Sequence, residues 1–162
     1  MSSKESKYEV EVIFGSDHAG FELKQKICSY LSSHHIVSAI TDTGCFSDER
    51  VDYPDYAQKV AHMMTKSGFE NKIGVLVCGT GIGIGIAANR FEHIRCALCT
   101  DTYSAEMARK HNDANCISLG ARRTSFEDAV KIVEKFLETE FEGGRHQKRL
   151  DKINHLKTML AD

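Results

Sequence analysis

A basic excess is the first thing the sequence lacks. Its 162 residues carry 21 Lys and Arg against 23 Asp and Glu, a net charge of -2, so no general polyanion-binding surface is implied and nucleic acid is not an expected partner. No apolar run approaches the roughly 18 residues that a membrane span needs. The opening Met1-Ser-Ser-Lys-Glu-Ser-Lys has no apolar core of a leader peptide, so neither membrane nor export is expected and the cytoplasm is the expected location. Metal-binding spacings are missing too: there is no His-Glu-x-x-His and no pair of Cys-x-x-Cys knuckles. Six cysteines, at 28, 45, 78, 96, 99 and 116, form no tight framework and suit reduced thiols. Cys96 and Cys99 have the spacing of a redox or zinc pair, but Arg95 to Thr100 reads as a strand, on which positions three apart face opposite sides. Neither metal nor cofactor is expected. Internal repeats, low-complexity tracts and linkers are also absent, which leaves one domain over 1–162, with residues 1–8 as a frayed arm.

What is present alternates regularly. Val10 to Gly15, Ile36 to Ile40, Val75 to Val77, Arg95 to Leu98 and Cys116 to Gly120 read as short strands. Between them lie amphipathic patterns: Leu23, Ile27, Tyr30 and Leu31; then Tyr56, Val60, Met63 and Met64, opened by the chain's only proline, Pro54. A helix from near Ser104 carries Ala105, Met107 and Ala108, and the next carries Phe126, Ala129, Val130, Val133 and Leu137. After Gly143-Gly144, Arg145 to Leu160 reads as a final helix within 144–162, with Leu150, Ile153, Leu156 and Leu160 on one side, and is expected to serve as an arm to a dimer partner. Five strands alternating with helices predict an α/β fold, a three-layer αβα sandwich around a five-stranded parallel sheet of Rossmann-like kind.

The stretch Gly74 to Arg90 organises the rest. Its strand ends at Cys78, where Gly79, Gly81, Gly83 and Gly85 follow at every second position, and Ile86 onward reads as a helix reaching about Phe91. Glycines admit positive φ and close approach, so their N–H groups can converge on a small anion beside a helix N-terminus. A thiol at that point is a candidate base or nucleophile; it is equally a candidate for ordinary core packing. No Lys-Ser/Thr follows the glycines, which excludes an ATPase phosphate loop. A dinucleotide fingerprint, Gly83-x-Gly85-x-x-Ala88 with Asp101, starts five residues past the strand instead of at its end.

Ligands in such sheets bind at the carboxyl ends of strands, and polar residues gather there: Asp17 and His18, Cys78 and Thr80, Asp101, Arg122. Asp17 is also a natural helix cap. Arg145 and Arg149, at i and i+4, can grip one phosphate or belong to a solvated basic face with His146, Lys148 and Lys152. A thiolate, an array of N–H donors and phosphate-binding arginines form a consistent set for removing a proton next to a carbonyl.

Gly15-Ser-Asp-His-Ala-Gly20, Asp52-Tyr-Pro-Asp-Tyr-Ala57, Cys78-Gly-Thr-Gly-Ile-Gly83 with Ala87-Ala-Asn89, Arg109-Lys-His-Asn-Asp113 and Gly143-Gly-Arg-His-Gln147 together resemble ribose-5-phosphate isomerase type B. The wider family includes allose-6-phosphate and galactose-6-phosphate isomerases. The resemblance implies interconversion of ribose 5-phosphate and ribulose 5-phosphate through an enediolate, without metal, in homodimers or dimers of dimers whose sites draw on both subunits. It implies Cys78 as the base, Thr80 with the N–H groups of Gly79, Gly81, Ile82 and Gly83 around the oxyanion, and His111 as the ring-opening acid with Asn112 on the sugar. Asp17, His18 and Tyr53 match substrate contacts; Arg122, Arg145 and Arg149 match phosphate contacts. Some members use a carboxylate in the glycine loop, but no Asp or Glu lies between Cys78 and Phe91. A six-carbon sugar phosphate, a non-catalytic sugar-phosphate-binding module and a nicotinamide oxidoreductase remain as alternatives.

Overall fold

In a computed structural model, residues 9–65 and 71–156 are described. The expected arm at 1–8 and Leu160 lie outside them. The elements run β1 (Val10–Ser16), α1 (Phe21–Leu31), β2 (Val37–Asp42), α2 (Tyr53–Met63), β3 (Lys72–Cys78), α3 (Ile82–Ala88), β4 (Cys96–Leu98), α4 (Thr102–Asn112), β5 (Cys116–Gly120), α5 (Phe126–Glu138) and α6 (Arg145–Asn154). All five strands are parallel, in the order β2-β1-β3-β5-β4. β3 is buried along its whole length and pairs with β1 and β5.

Side chains alternate across the sheet, as a period of two requires. Val12, Phe14, Val75, Val77, Ile117 and Leu119 face a core with Leu23, Ile27, Ala105, Ile132 and Phe136, from α1, α4 and α5. Ile13, Leu76, Cys78 and Cys116 face the opposite core, with Ala57, Val60, Ile84 and Ala88 from α2 and α3. This is the expected three-layer sandwich. The two thiols of β4's segment divide as strand geometry predicts: Cys96 packs with the α2/α3 core and Cys99 with the other.

Two helix boundaries differ from the sequence reading. α3 begins at Ile82, four residues before Ile86, and ends at Ala88. Gly83 and Gly85 therefore sit inside a helix despite their poor propensity. Crowding explains them: a Cβ at Gly83 would come within 2.6 Å of the Tyr53 ring, and one at Gly85 within 2.8 Å of Ser118 Oγ. The last helix ends at Asn154 and does not continue through Leu156, which is 77% exposed. Nor does its described part swing free: His146 and Leu150 are buried, and α6 packs on α4 of its own chain.

Candidate active site

In the order β2-β1-β3 the chain crosses to the other side of β1 after β2, which opens a crevice at the carboxyl ends of β1 and β3. Asp17 and Cys78 arrive at that crevice from its two sides. The turn after β1 is pressed onto β3: Asp17 N–H donates to Val77 O at 3.2 Å, and Asp17 Oδ1 accepts the Gly20 amide at 3.1 Å. Asp17 is thus buried and shapes the turn that leads into α1, close to the capping role weighed above, while Gly20 itself is the N-cap. His18 Nδ1 lies 3.2 Å from Val51 O and 3.3 Å from Val51 N, pinning the loop that precedes α2.

Cys78 Sγ accepts the Gly81 N–H at 3.1 Å. Gly81 is left-handed, with φ of 78°, and serves as the N-cap of α3; this turns the chain so that its amide points back at the sulfur. The sulfur therefore faces one loop amide, that of Gly81, and Cys78 is only 4% exposed within one chain. Thr80 is exposed, and its Oγ1 accepts the Ile82 amide at 3.3 Å. The ring of Tyr53, from the first turn of α2, covers Gly83. The Arg122 guanidinium lies over Gly79, where a Cβ would be 3.0 Å from Nη1, and the Arg122 amide donates to Gly79 O at 3.0 Å. Cys78, Thr80, Gly79, Gly81, Ile82, Gly83, Tyr53, Asp17, His18 and Arg122 thus belong to one end of the sheet.

Asp101, at the same end, has a different occupation. Its carboxylate accepts the Ser104 amide at 2.7 Å in a capping box that starts α4, and those hydrogen bonds hold its pKa below the usual carboxylate value.

The remaining predicted residues lie at the other end. α4 starts at the carboxyl edge and runs back for 11 residues, about 16 Å, so His111 and Asn112 reach the amino edge of the sheet. There Arg95, just before β4, donates from Nε to the carbonyls of Asn112 and Asp113. Arg109 donates to Asp113 and to Thr139 O, which fixes the end of α4 against the chain leaving α5. Glu142 N–H donates to Lys110 O, and Gly143 and Gly144, with φ of 67° and 56°, turn the chain back so that α6 meets α4. Arg145 and Arg149 are exposed, and among the described residues neither has a carboxylate within ion-pair distance. The three arginines matched to phosphate therefore do not converge in one chain: Arg122 sits with Cys78, and Arg145 and Arg149 sit with His111.

His146 was grouped with the solvated basic face, and the structure corrects this. It is buried, and its ring stacks on that of His111 with centroids 4.2 Å apart and planes at 16°. The sequence signal was available: His146 and the apolar Leu150 share the i, i+4 face that α6 buries. His111, Glu142 and His146 offer ligand atoms within 4.8 Å of one another. Near-parallel rings, however, send their in-plane lone pairs along parallel lines, not to a common ion, and Arg145, Arg149 and the N-terminus of α6 disfavour a cation. A second missed feature is the ion pair of Lys24, fully buried, with Asp42 at 2.5 Å; Asp42 Oδ1 also accepts the Gly44 amide and holds the loop after β2.

A doubly covered parallel sheet with a thiol under main-chain amides at its crevice, and an imidazole beside unpaired guanidiniums elsewhere, has the parts of an aldose–ketose isomerase for phosphorylated sugars. The Ribose/Galactose Isomerase family matches residues 12–153, and the chain belongs to this family. It is 43% identical over 147 residues to ribose-5-phosphate isomerase B of Escherichia coli, covering 91% of this chain and 96% of that one. The crystal structure of a ribose 5-phosphate isomerase from Thermotoga maritima superposes with a TM-score of 0.85 at 46% identity, covering 92% and 100% of the two chains. Ribose-5-phosphate isomerase B from Mycoplasma genitalium, solved with bound ribulose-5-phosphate, gives a TM-score of 0.83 at 37% identity, covering 91% and 95%. The chain is an isomerase of this kind. Among the described residues no helix is long and apolar enough to cross a membrane.

Proposed function

We propose that the protein interconverts D-ribose 5-phosphate and D-ribulose 5-phosphate through an enediolate in the cytoplasm, as a homodimer in which each site is assembled from both ends of the sheet, one from each copy. The observation that carries this reading is the Gly81 amide aimed at the Cys78 sulfur at the end of β3, in a loop without a carboxylate. The Cys78 thiolate removes the C2 proton of the open-chain aldose and returns it to C1. The N–H groups of Gly79, Gly81, Ile82 and Gly83, with Thr80, hold the oxygen on which charge develops. Tyr53, Asp17 and His18 line the sugar, and Arg122 stands beside the loop. A second copy brings His111, which protonates the ring oxygen to open the furanose, Asn112, which binds the sugar, and Arg145 and Arg149, which take the phosphate.

The split of the predicted residues between opposite ends supports a shared site, since α4 alone separates them by about 16 Å. So does an apolar surface beside the glycine loop, where Ile82, Ile86 and Leu98 line one cavity, with Ile86 64% exposed. Parallel assays with ribose 5-phosphate, allose 6-phosphate and galactose 6-phosphate, with no added metal or nucleotide, test the reading. Preference for the pentose is expected; turnover of a six-carbon substrate alone would reassign the substrate, and binding without turnover of any would make the protein a sugar-phosphate sensor.

A further inference from the structure

We propose that His146 is a positioning residue for His111: a buried imidazole plate that holds the His111 ring flat. This rests on His111 opening the sugar ring.

Two observations converge on it: the stack, and the burial of His146 with its nitrogen short of a hydrogen bond. The rings lie face to face, 4.2 Å between centroids and 16° between planes. His146 is 3% exposed, and its Nε2 is one of two fully buried side-chain polar atoms without a hydrogen-bond partner among the described residues. Glu142 Oε2 lies 3.5 Å from that nitrogen yet makes no hydrogen bond with it. A buried nitrogen whose nearest partner is a half-exposed carboxylate at 3.5 Å is weakly satisfied, which is costly, so its retention against the His111 ring calls for a reason that packing alone does not supply.

The charges around His146 disfavour a proton on it. His146 faces Arg145 and Arg149 from its own helix, Glu142 from the preceding loop and His111 from α4, and Lys110 lies near Glu142 and pairs with Glu106. Burial first, then Arg145 and His111, push the His146 pKa below the ordinary histidine value, with only Glu142 opposing. Two imidazoliums at this separation would repel, which adds to the bias against a charge on His146. The ring of His111 is half-buried and lies on the flat face of His146. Held against a flat plate, His111 loses rotational freedom about its ring torsion before substrate arrives.

The test compares His146→Phe, flat and unable to titrate, with His146→Leu, which fills the space without a plate, and runs His111→Asn alongside. Two readouts are taken for each: the rate of ribose 5-phosphate consumption against enzyme concentration, which exposes loss of ring opening, and solvent deuterium exchange at C1 of ribulose 5-phosphate, which needs only enolisation. His146→Leu is expected to lower kcat for ribose 5-phosphate roughly tenfold or more with little change in KM or in C1 exchange, and His146→Phe to restore the rate to within about threefold without moving the acid limb of the pH profile. In the wild-type protein, imidazole nitrogen shifts should show His146 gaining its proton only below the ordinary histidine range. Leucine matching phenylalanine, exchange and turnover falling together, or His146 titrating in the ordinary histidine range would each overturn the proposal. If His111→Asn leaves ribose 5-phosphate turnover proportional to enzyme at all concentrations, the ring-opening reading fails, not the positioning one.

Discussion

The Cys78 end and the His111 end of this molecule are built on opposite principles. At the first, reactivity comes from backbone: a left-handed glycine, a helix start and a buried strand aim an amide at a sulfur, and hardly any side chain is needed. At the second it comes from side chains: two stacked imidazoles, exposed guanidiniums and a terminus of α4 tied down by Arg95 and Arg109. A main-chain site tolerates almost no added atom, since a Cβ at Gly120 would lie 2.6 Å from the Thr80 backbone. A side-chain site is tuned by charge and stacking instead. Under the proposed reaction the first would serve the making of a carbanion, where geometry must be fixed, and the second proton delivery and phosphate capture, where charge must be available.

The sharpest way to break this contrast is Cys78→Ala. It should lower kcat by roughly a thousandfold or more, abolish exchange of the C2 proton with solvent, and leave binding of the substrate measurable by calorimetry; persisting exchange would remove Cys78 as the base. Next comes His111→Asn, with a loss of about a hundredfold on ribose 5-phosphate. Here the rate should stop rising with enzyme concentration and settle at that of uncatalysed ring opening, while C1 exchange in ribulose 5-phosphate continues. The two ends are then joined by mixing. Inactive homodimers of Cys78→Ala and of Arg145→Ala, after demonstrated subunit exchange, should recover roughly a quarter of wild-type activity, because half of the randomly formed dimers carry one intact site of two. No recovery would place both residues in one chain's site. The smallest effect belongs to Asp101→Asn, which should leave kcat and KM unchanged and cost a little thermal stability. Its folded pKa lies below the unfolded one, so its contribution is complete above about pH 4 and fades as pH falls through the lowered value. A melting-temperature series against pH, compared with wild type, reads that directly.

Much of this was legible beforehand. Strand–helix alternation fixed a parallel sheet, and the spacing of Leu23, Ile27 and Leu31 or of Ala129, Val133 and their neighbours marked the faces that pack. The strand order was not, because short-range pattern says nothing of which strand β5 inserts beside. The start of α3 was missed since Gly83 and Gly85 argue locally against a helix, whereas the Tyr53 ring and Ser118 impose them from other elements. The separation of His111 from Cys78 could have been foreseen: a helix following a parallel strand runs back toward the amino edge, so residues in its last turn cannot meet those at a strand's carboxyl end. The burial of His146 was signalled by its i, i+4 spacing to Leu150 but overshadowed by its cationic neighbours in sequence.

The six sulfurs make unequal targets for an electrophilic label. Burial pushes the thiol of Cys28 up to about 12 and that of Cys99 to about 11. Cys116 is held well above its ordinary value by its hydrogen bond with Cys96 and by burial. Cys45, 3% exposed against 4% for Cys78, differs in its hydrogen bond: its S–H is directed at Ser47 O, whereas the Cys78 sulfur accepts the Gly81 amide. Half-buried Cys96 is left as the rival to Cys78, so a single Cys96→Ser exchange turns the chain into a self-reporting probe, in which the rate of alkylation at one sulfur, read by mass spectrometry, follows how much of the enzyme is occupied by sugar.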